Sequence, residues 1–205
     1  MKKNKPSFFF ILTNRLKKKN FLFEFYFKGK RTLDVGCGQG EFIANDPKNI
    51  IGIDINESVI ESLSGQGYGV KLCGADNLSF DDGEFEAVHC RNVIEHMEIS
   101  TAYRMIKEIA RVLKRDGIFV LCSEMPTRHF WSTFGHVKPY PPQAIKKLIK
   151  KDLREGFEFV EGFDFINVFY FGQYFNNKII YFLSILISYY LPLGRREYFL
   201  VLKRR

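Results

Sequence analysis

The chain predicts a doubly wound α/β domain built on a mostly parallel sheet. Three observations carry that expectation. Short apolar strands alternate with helical patterns from Arg31 onward, a glycine-rich turn follows the first strand directly, and a helix with 3- and 4-residue apolar spacing precedes the fifth. That alternation is the mark of parallel strands joined by crossover helices.

The elements follow in order. Residues 31–35 form the first strand, and the turn DVGCGQG over Asp34 to Gly40 leads into a short helix over Glu41 to Ala44. Ile50 to Asp54 reads as a second buried strand, Glu57 to Leu63 as a helix, and Tyr68 to Cys73 as a third strand at an edge. Phe85 to Cys90 is the fourth strand, entered through the turn at Asp81 to Gly83. In the helix Thr101 to Lys114, Ile106, Ile109, Ala110 and Leu113 share one face, with Ser100 as the expected cap and Gly117 just beyond the end. Ile118 to Ser123 is the fifth strand.

Glu124 to Pro142 has no clean period and is rich in His, Phe and proline, so it reads as a lid loop over a site. Pro142 to Arg154 is an amphipathic helix with Ile145, Leu148, Ile149 and Leu153 inward, and Phe157 to Phe163 and Glu197 to Leu202 alternate like the last two strands. Between them lies an aromatic insertion over residues 164–195, whose only charge between Phe165 and Gly194 is Lys178. Its densest part, Ile179 to Leu193, is short of the roughly 20 residues a membrane span needs. Residues 1–30 read as a basic aromatic N-terminal segment, and 31–205 as one domain.

Composition narrows the function classes. At 205 residues, 46% hydrophobic and 26% charged, the chain suits one globular core. The net charge of +8 admits nucleic acid, an anionic membrane surface or plain solvent as the neighbour of the basic groups. The 22 Phe and 10 Tyr crowd both chain ends rather than the middle. Four cysteines show neither a C-x-x-C pair nor His at ligand spacing, so buried thiols in a reducing cytoplasm are expected, with no metal and no disulfide.

The chemistry concentrates at three strand ends. Gly36, Gly38 and Gly40 let backbone lie flush against a ligand where any side chain would block it. Asp54 at the end of the second strand, with Ile55 beside it, is placed to accept from ribose hydroxyls, and Asp76-Asn77 after the third strand is placed to read an adenine edge. The spacing G-x-G-x-G differs from the G-x-G-x-x-G of nicotinamide binders.

Together, DVGCGQG, GIDI from Gly52, GAD from Gly74, FDDGEF from Phe80, RNVIEH from Arg91 and EIARVLKRDG from Glu108 resemble the successive motifs of the class I S-adenosylmethionine-dependent methyltransferases, in their small-molecule type 11-like branch. The resemblance runs from about Leu33 to Glu124. It implies a Rossmann-like sheet of seven strands ordered 3-2-1-4-5-7-6, the seventh antiparallel, with S-adenosylmethionine as cofactor. It further implies that Gly36, Gly38 and Gly40 pack against the methionine part, Asp34 helps neutralise its ammonium, Asp54 takes the ribose, and Asp76 with Asn77 holds the adenine. Arg91 and Asn92 would lie near the methionine tail.

The expected function is methyl transfer to a small-molecule or lipid-like acceptor, in the cytoplasm, with the basic aromatic ends offering contact to an anionic membrane and the insertion offering a dimer contact. The alternatives are an RNA methyltransferase, disfavoured by the lack of any RNA-recognition module, and a catalytically silent cofactor binder. Where the acceptor must lose a proton, His96, His136 and Tyr140 are the candidate catalytic groups, with His129 beside them in the lid.

Overall fold

A computed structural model describes residues 6–16, 20–150, 159–172, 177–191 and 194–205. Leu153 and the start of the expected sixth strand, residues 157–158, lie outside the described residues.

Helix α1 (Phe8–Leu16) and a π-helical turn at Phe23–Phe27 precede strand β1 (Thr32–Val35). Strand β2 (Ile50–Asp54), helix α2 (Glu57–Gly65) and strand β3 (Val70–Leu72) follow, and then strand β4 (Phe85–Arg91), helix α3 (Ile99–Val112) and strand β5 (Leu113–Glu124). The remainder comprises α4 (Arg128–Ser132), α5 (Pro142–Lys150), strand β6 (Phe163–Phe171), α6 (Lys178–Tyr190) and strand β7 (Glu197–Arg204). The sheet has seven strands in the order β3-β2-β1-β4-β5-β7-β6, as expected. Strands β1 to β5 pair in parallel, and β7 runs antiparallel to both its neighbours. The order of the strands reverses between β1 and β4, which opens a crevice at their carboxyl ends.

Each face of the sheet carries its own core. On one, Ala102, Met105, Ile106, Ile109 and Ala110 of α3 and Ile145 and Ile149 of α5 pack onto Leu33, Val88 and Phe119. On the other, the N-terminal segment and α2 cover Ile50, Ala87 and Val120. The N-terminal segment is therefore no appendage to the domain. Phe21, Phe23 and Phe27 are buried, and Phe21 meets Phe169 and Phe171 of β6 with ring centroids 5.6 and 5.7 Å away. The two aromatic-rich chain ends pack against one another.

Several boundaries differ from the sequence reading. The expected helix at Glu41 is a short 3-10 turn at Ile43–Asn45, and α3 starts at Ile99 with Glu98, not Ser100, at its cap. Strand β5 begins at Leu113 because that residue already pairs with Phe85. The largest difference concerns β6, which occupies Phe163–Phe171, so the first part of the supposed insertion is sheet. On this strand Phe163 is buried in one core and Phe169 in the other, and a register shift between Phe165 and Asn167 breaks the two-residue period that would have marked the strand. The rest of the insertion is α6, capped by Asn177, whose Oδ1 accepts from Ile179 N and Ile180 N. Among the described residues no helix is long and apolar enough to cross a membrane.

Phe27 is 1% exposed and its ring meets those of Phe42 and His89 edge-on. Phe27→Ala should cost about 3–5 kcal/mol of unfolding free energy. Chemical denaturation checks this, and a cost near zero would mean the N-terminal segment is not integral to the core.

Candidate functional site

The glycine turn is held by the neighbouring strand. The backbone N–H groups of Gly36 and Cys37 both donate to Ile53 O at 2.9 Å, and that of Gly38 donates to Asp54 Oδ2 at 3.1 Å. The other oxygen of Asp54 accepts from Asn56 N at 3.0 Å. Both carboxylate oxygens of Asp54 thus brace the turn, while the residue stays partly exposed. Gly36 has φ +69° and a Cβ there would lie 2.3 Å from Val93 Cγ2, so only glycine fits. Gly38 differs. A Cβ on it would meet no atom within 4 Å, so the space above it is free for a ligand. Gly40 instead packs on Leu63 and serves the fold.

A cavity of about 1230 Å³ opens beside this turn. Asp34, Gly36, Cys37, Gly38, Arg91 and Asn92 form its floor. Its outer wall is aromatic, with Phe21, Phe171, Tyr181 and Phe199, and Arg196 and Glu197 stand at the rim. Arg91 reaches Glu197 at 3.3 Å. Asn92 has a left-handed φ of 54°, a strained conformation for a residue other than glycine, at the tip of β4. Asn92 N donates to Cys122 O at 3.1 Å, which holds it there.

The sequence reading missed His89. Asp34 and His89 stand opposite each other in the β1–β4 register, and His89 Nδ1 lies 2.7 Å from Asp34 Oδ1. Both side chains are almost fully buried, and the imidazole stacks on Phe42 at 3.8 Å. A carboxylate oxygen accepts here, so in the neutral imidazole Nδ1 carries the proton and Nε2 keeps the lone pair. Among the described residues Nε2 makes no hydrogen bond, and the ring lines the cavity. Asp34 thus serves first as the partner of His89.

Other expected residues fall elsewhere. Asp76 Oδ2 accepts from Arg104 at 2.9 and 3.2 Å, a partner absent from the sequence reading, while Asn77 is exposed nearby. Ile55 is 79% exposed beside Asp54. His96 and His136 come together, ring centroids 5.0 Å apart, and Tyr140 OH donates to Met97 O at 2.9 Å. None of these three lines the cavity. Nor does any residue of 124–142: the expected lid lies along the turn after β4, its Phe130 buried. His129 is exposed on α4.

Residues 33–121 match the methyltransferase domain family. Over this stretch the chain is similar to the class I S-adenosylmethionine-dependent methyltransferases. Among curated relatives, an uncharacterized methyltransferase of Bacillus subtilis, YcgJ, is 35% identical over 101 residues, 44% of this chain and 39% of that one. A ubiquinone biosynthesis O-methyltransferase of Coxiella burnetii is 32% identical over 99 residues, 44% of this chain and 42% of that one. The chain thus spans about two fifths of the length of these relatives. In fold, the chain resembles a solved S-adenosylmethionine-dependent methyltransferase from Archaeoglobus fulgidus, with a TM-score of 0.69 at 22% identity over 97% of this chain and all of that one.

The cofactor of this methyltransferase family, S-adenosylmethionine, suits the residues present. Open space above Gly38, a partly exposed carboxylate on Asp54 and an exposed apolar Ile55 are what a flexible tail, a sugar and a flat base require.

Burial, with Asp34 and Asp54 nearby, pushes the Cys37 thiol of the turn up to about 12. The thiol stays protonated at neutral pH and is a poor nucleophile. Iodoacetamide at pH 7.5 should leave Cys37 unmodified in the folded protein and label it after unfolding, as peptide mass spectrometry will show. Rapid labelling of the native protein would overturn the assignment.

Proposed function

We propose that this chain transfers a methyl group from S-adenosylmethionine to a hydrophobic small molecule bearing a protic nucleophile, such as a hydroxyl or amine. The observation that carries the reading is the continuity of the cavity, from the bare backbone of Gly36 and Gly38 to the aromatic wall of Phe21, Phe171, Tyr181 and Phe199.

Gly36 and Gly38 would receive the methionine part, with Arg91 and Asn92 along its flank. Asp54 would accept from the ribose hydroxyls, Ile55 would lie against the adenine, and Asp76 with Asn77 would border its edge. When bound, the cofactor supplies an electrophilic methyl group on a sulfonium, which needs no further activation. The protein's own tasks are then to align the acceptor, exclude water and take up a proton. The aromatic wall supports the first two. His89 supports the third, since Asp34 fixes its tautomer and leaves Nε2 facing the cavity with a lone pair.

The hydrophobic acceptor draws further support from α6. It places Tyr181 in the cavity wall while Ile179, Ile180, Leu183 and Ile187 are exposed. An apolar helix beside the mouth suits an acceptor delivered from a lipid surface, and the net charge of +8 suits an anionic one.

Two variants test the reading. Asp54→Ala should weaken S-adenosylmethionine binding by about 1–3 kcal/mol in calorimetry, through loss of charge-assisted hydrogen bonds. His89→Gln should leave that affinity within a few-fold but reduce methyl transfer to a phenolic or hydroxylated lipid acceptor by about 10²–10⁴-fold. Unchanged affinity in the first variant would remove the ribose site, and unchanged turnover in the second would remove His89 as proton acceptor.

A further inference from the structure

Outside the cavity, the segment 124–142 folds back on the turn that follows β4. Val137 N donates to Glu95 O at 2.8 Å. Two histidines are oriented by backbone carbonyls there: His96 Nδ1 lies 2.9 Å from Gly135 O, and His136 Nδ1 lies 3.1 Å from Phe130 O. A carbonyl oxygen can only accept, so in the neutral ring each Nδ1 carries the proton and each Nε2 is left with its lone pair. A carbonyl that fixes one imidazole nitrogen in this way leaves the other ready to ligate a metal.

Near the two rings lies a carboxylate with an unmet need. Glu95 is 1% exposed, and its Oε2 accepts from Ser123 Oγ at 2.9 Å. Its Oε1 is buried without a hydrogen-bond partner among the described residues. Leaving a buried charged oxygen unpaired is costly, so such an atom points to a missing donor or cation. One carboxylate oxygen of Glu95 and one ring nitrogen each from His96 and His136 lie within 4.8 Å of one another.

We propose that Glu95, His96 and His136 form a binding site for a divalent transition-metal ion of the zinc class, which staples the 124–142 segment to the end of β4. Two imidazoles and one carboxylate suit zinc and its transition-metal neighbours, whereas magnesium and calcium prefer all-oxygen sets. Three protein ligands also leave a fourth position open to water. The ligands come from two segments, the turn after β4 and 124–142, so an ion at this point would bind them directly. None of the three residues lines the cavity, so the site stands independently of the methyltransferase reading. It also departs from the expectation of no metal, which rested on cysteine spacing alone.

The test uses the full chain, stripped with a chelator and titrated with zinc sulfate by calorimetry, with cobalt chloride as a spectroscopic probe. One ion per chain is expected, with visible cobalt bands of a low-coordinate nitrogen and oxygen site, a rise in Tm on adding zinc, and no heat from magnesium chloride. Glu95→Gln and His136→Gln should each weaken zinc binding by about 10–100-fold or more and abolish the Tm rise. His129→Gln, at an exposed histidine of the same segment, should bind zinc as the parent does. Should the buried Glu95 variant fail to fold, His96→Gln at the exposed ligand takes its place, with far-ultraviolet circular dichroism confirming the fold. Absence of stoichiometric binding, or equal binding in the parent and the His136 variant, would overturn the site.

Discussion

The bracing of one bend by the adjacent strand governs everything built around it. Where β1 ends, the chain turns back on itself, and three consecutive amides find acceptors at the end of β2: the carbonyl of Ile53 takes two, and the carboxylate of Asp54 takes the third. That arrangement leaves no room for a side chain at Gly36 and free space above Gly38. The crevice follows from it, because the strand order reverses at β1 and no crossover helix covers the point of reversal. A residue that appears in sequence as a ligand group is therefore also a structural one.

The uneven aromatic composition has a spatial meaning. Phe21 stacks against Phe171, Phe171 meets Phe199 edge-on at 4.7 Å, and these three rings together wall the cavity. Phe8 of α1 likewise meets Tyr190 of α6, with centroids 5.5 Å apart. Phe21, Phe171 and Phe199, from opposite ends of the chain, thus share one apolar surface, part of it core and part of it cavity wall. Aromatic side chains suit that double duty, since each supplies a large apolar area at little rotamer cost.

How much of this was legible beforehand depends on the range of the interaction. The turn, its glycines and Asp54 were readable because a strand, a bend and the next strand lie within a few tens of residues and need particular residue types at particular spacings. The α3 face was readable for the same reason, its buried residues repeating every three or four positions. His89 was not readable. It sits in an apolar strand, and only the β1–β4 register sets it against Asp34, 55 residues away. Arg104 meeting Asp76 and segment 124–142 meeting Glu95 are equally non-local. Strand β6 was displaced in the reading because apolar residues occupy both alternating sets of FDFINVFYF, so no two-residue period marks its start.

The central claim is that the braced bend receives the adenosyl compound with its sugar on Asp54. A crystal structure of the protein with S-adenosylhomocysteine tests this most directly. Ligand density against Gly36 and Gly38, with both ribose hydroxyls within hydrogen-bond distance of the Asp54 carboxylate, is the predicted result. Density at another place on the molecule, or a ribose turned away from Asp54, would contradict the account.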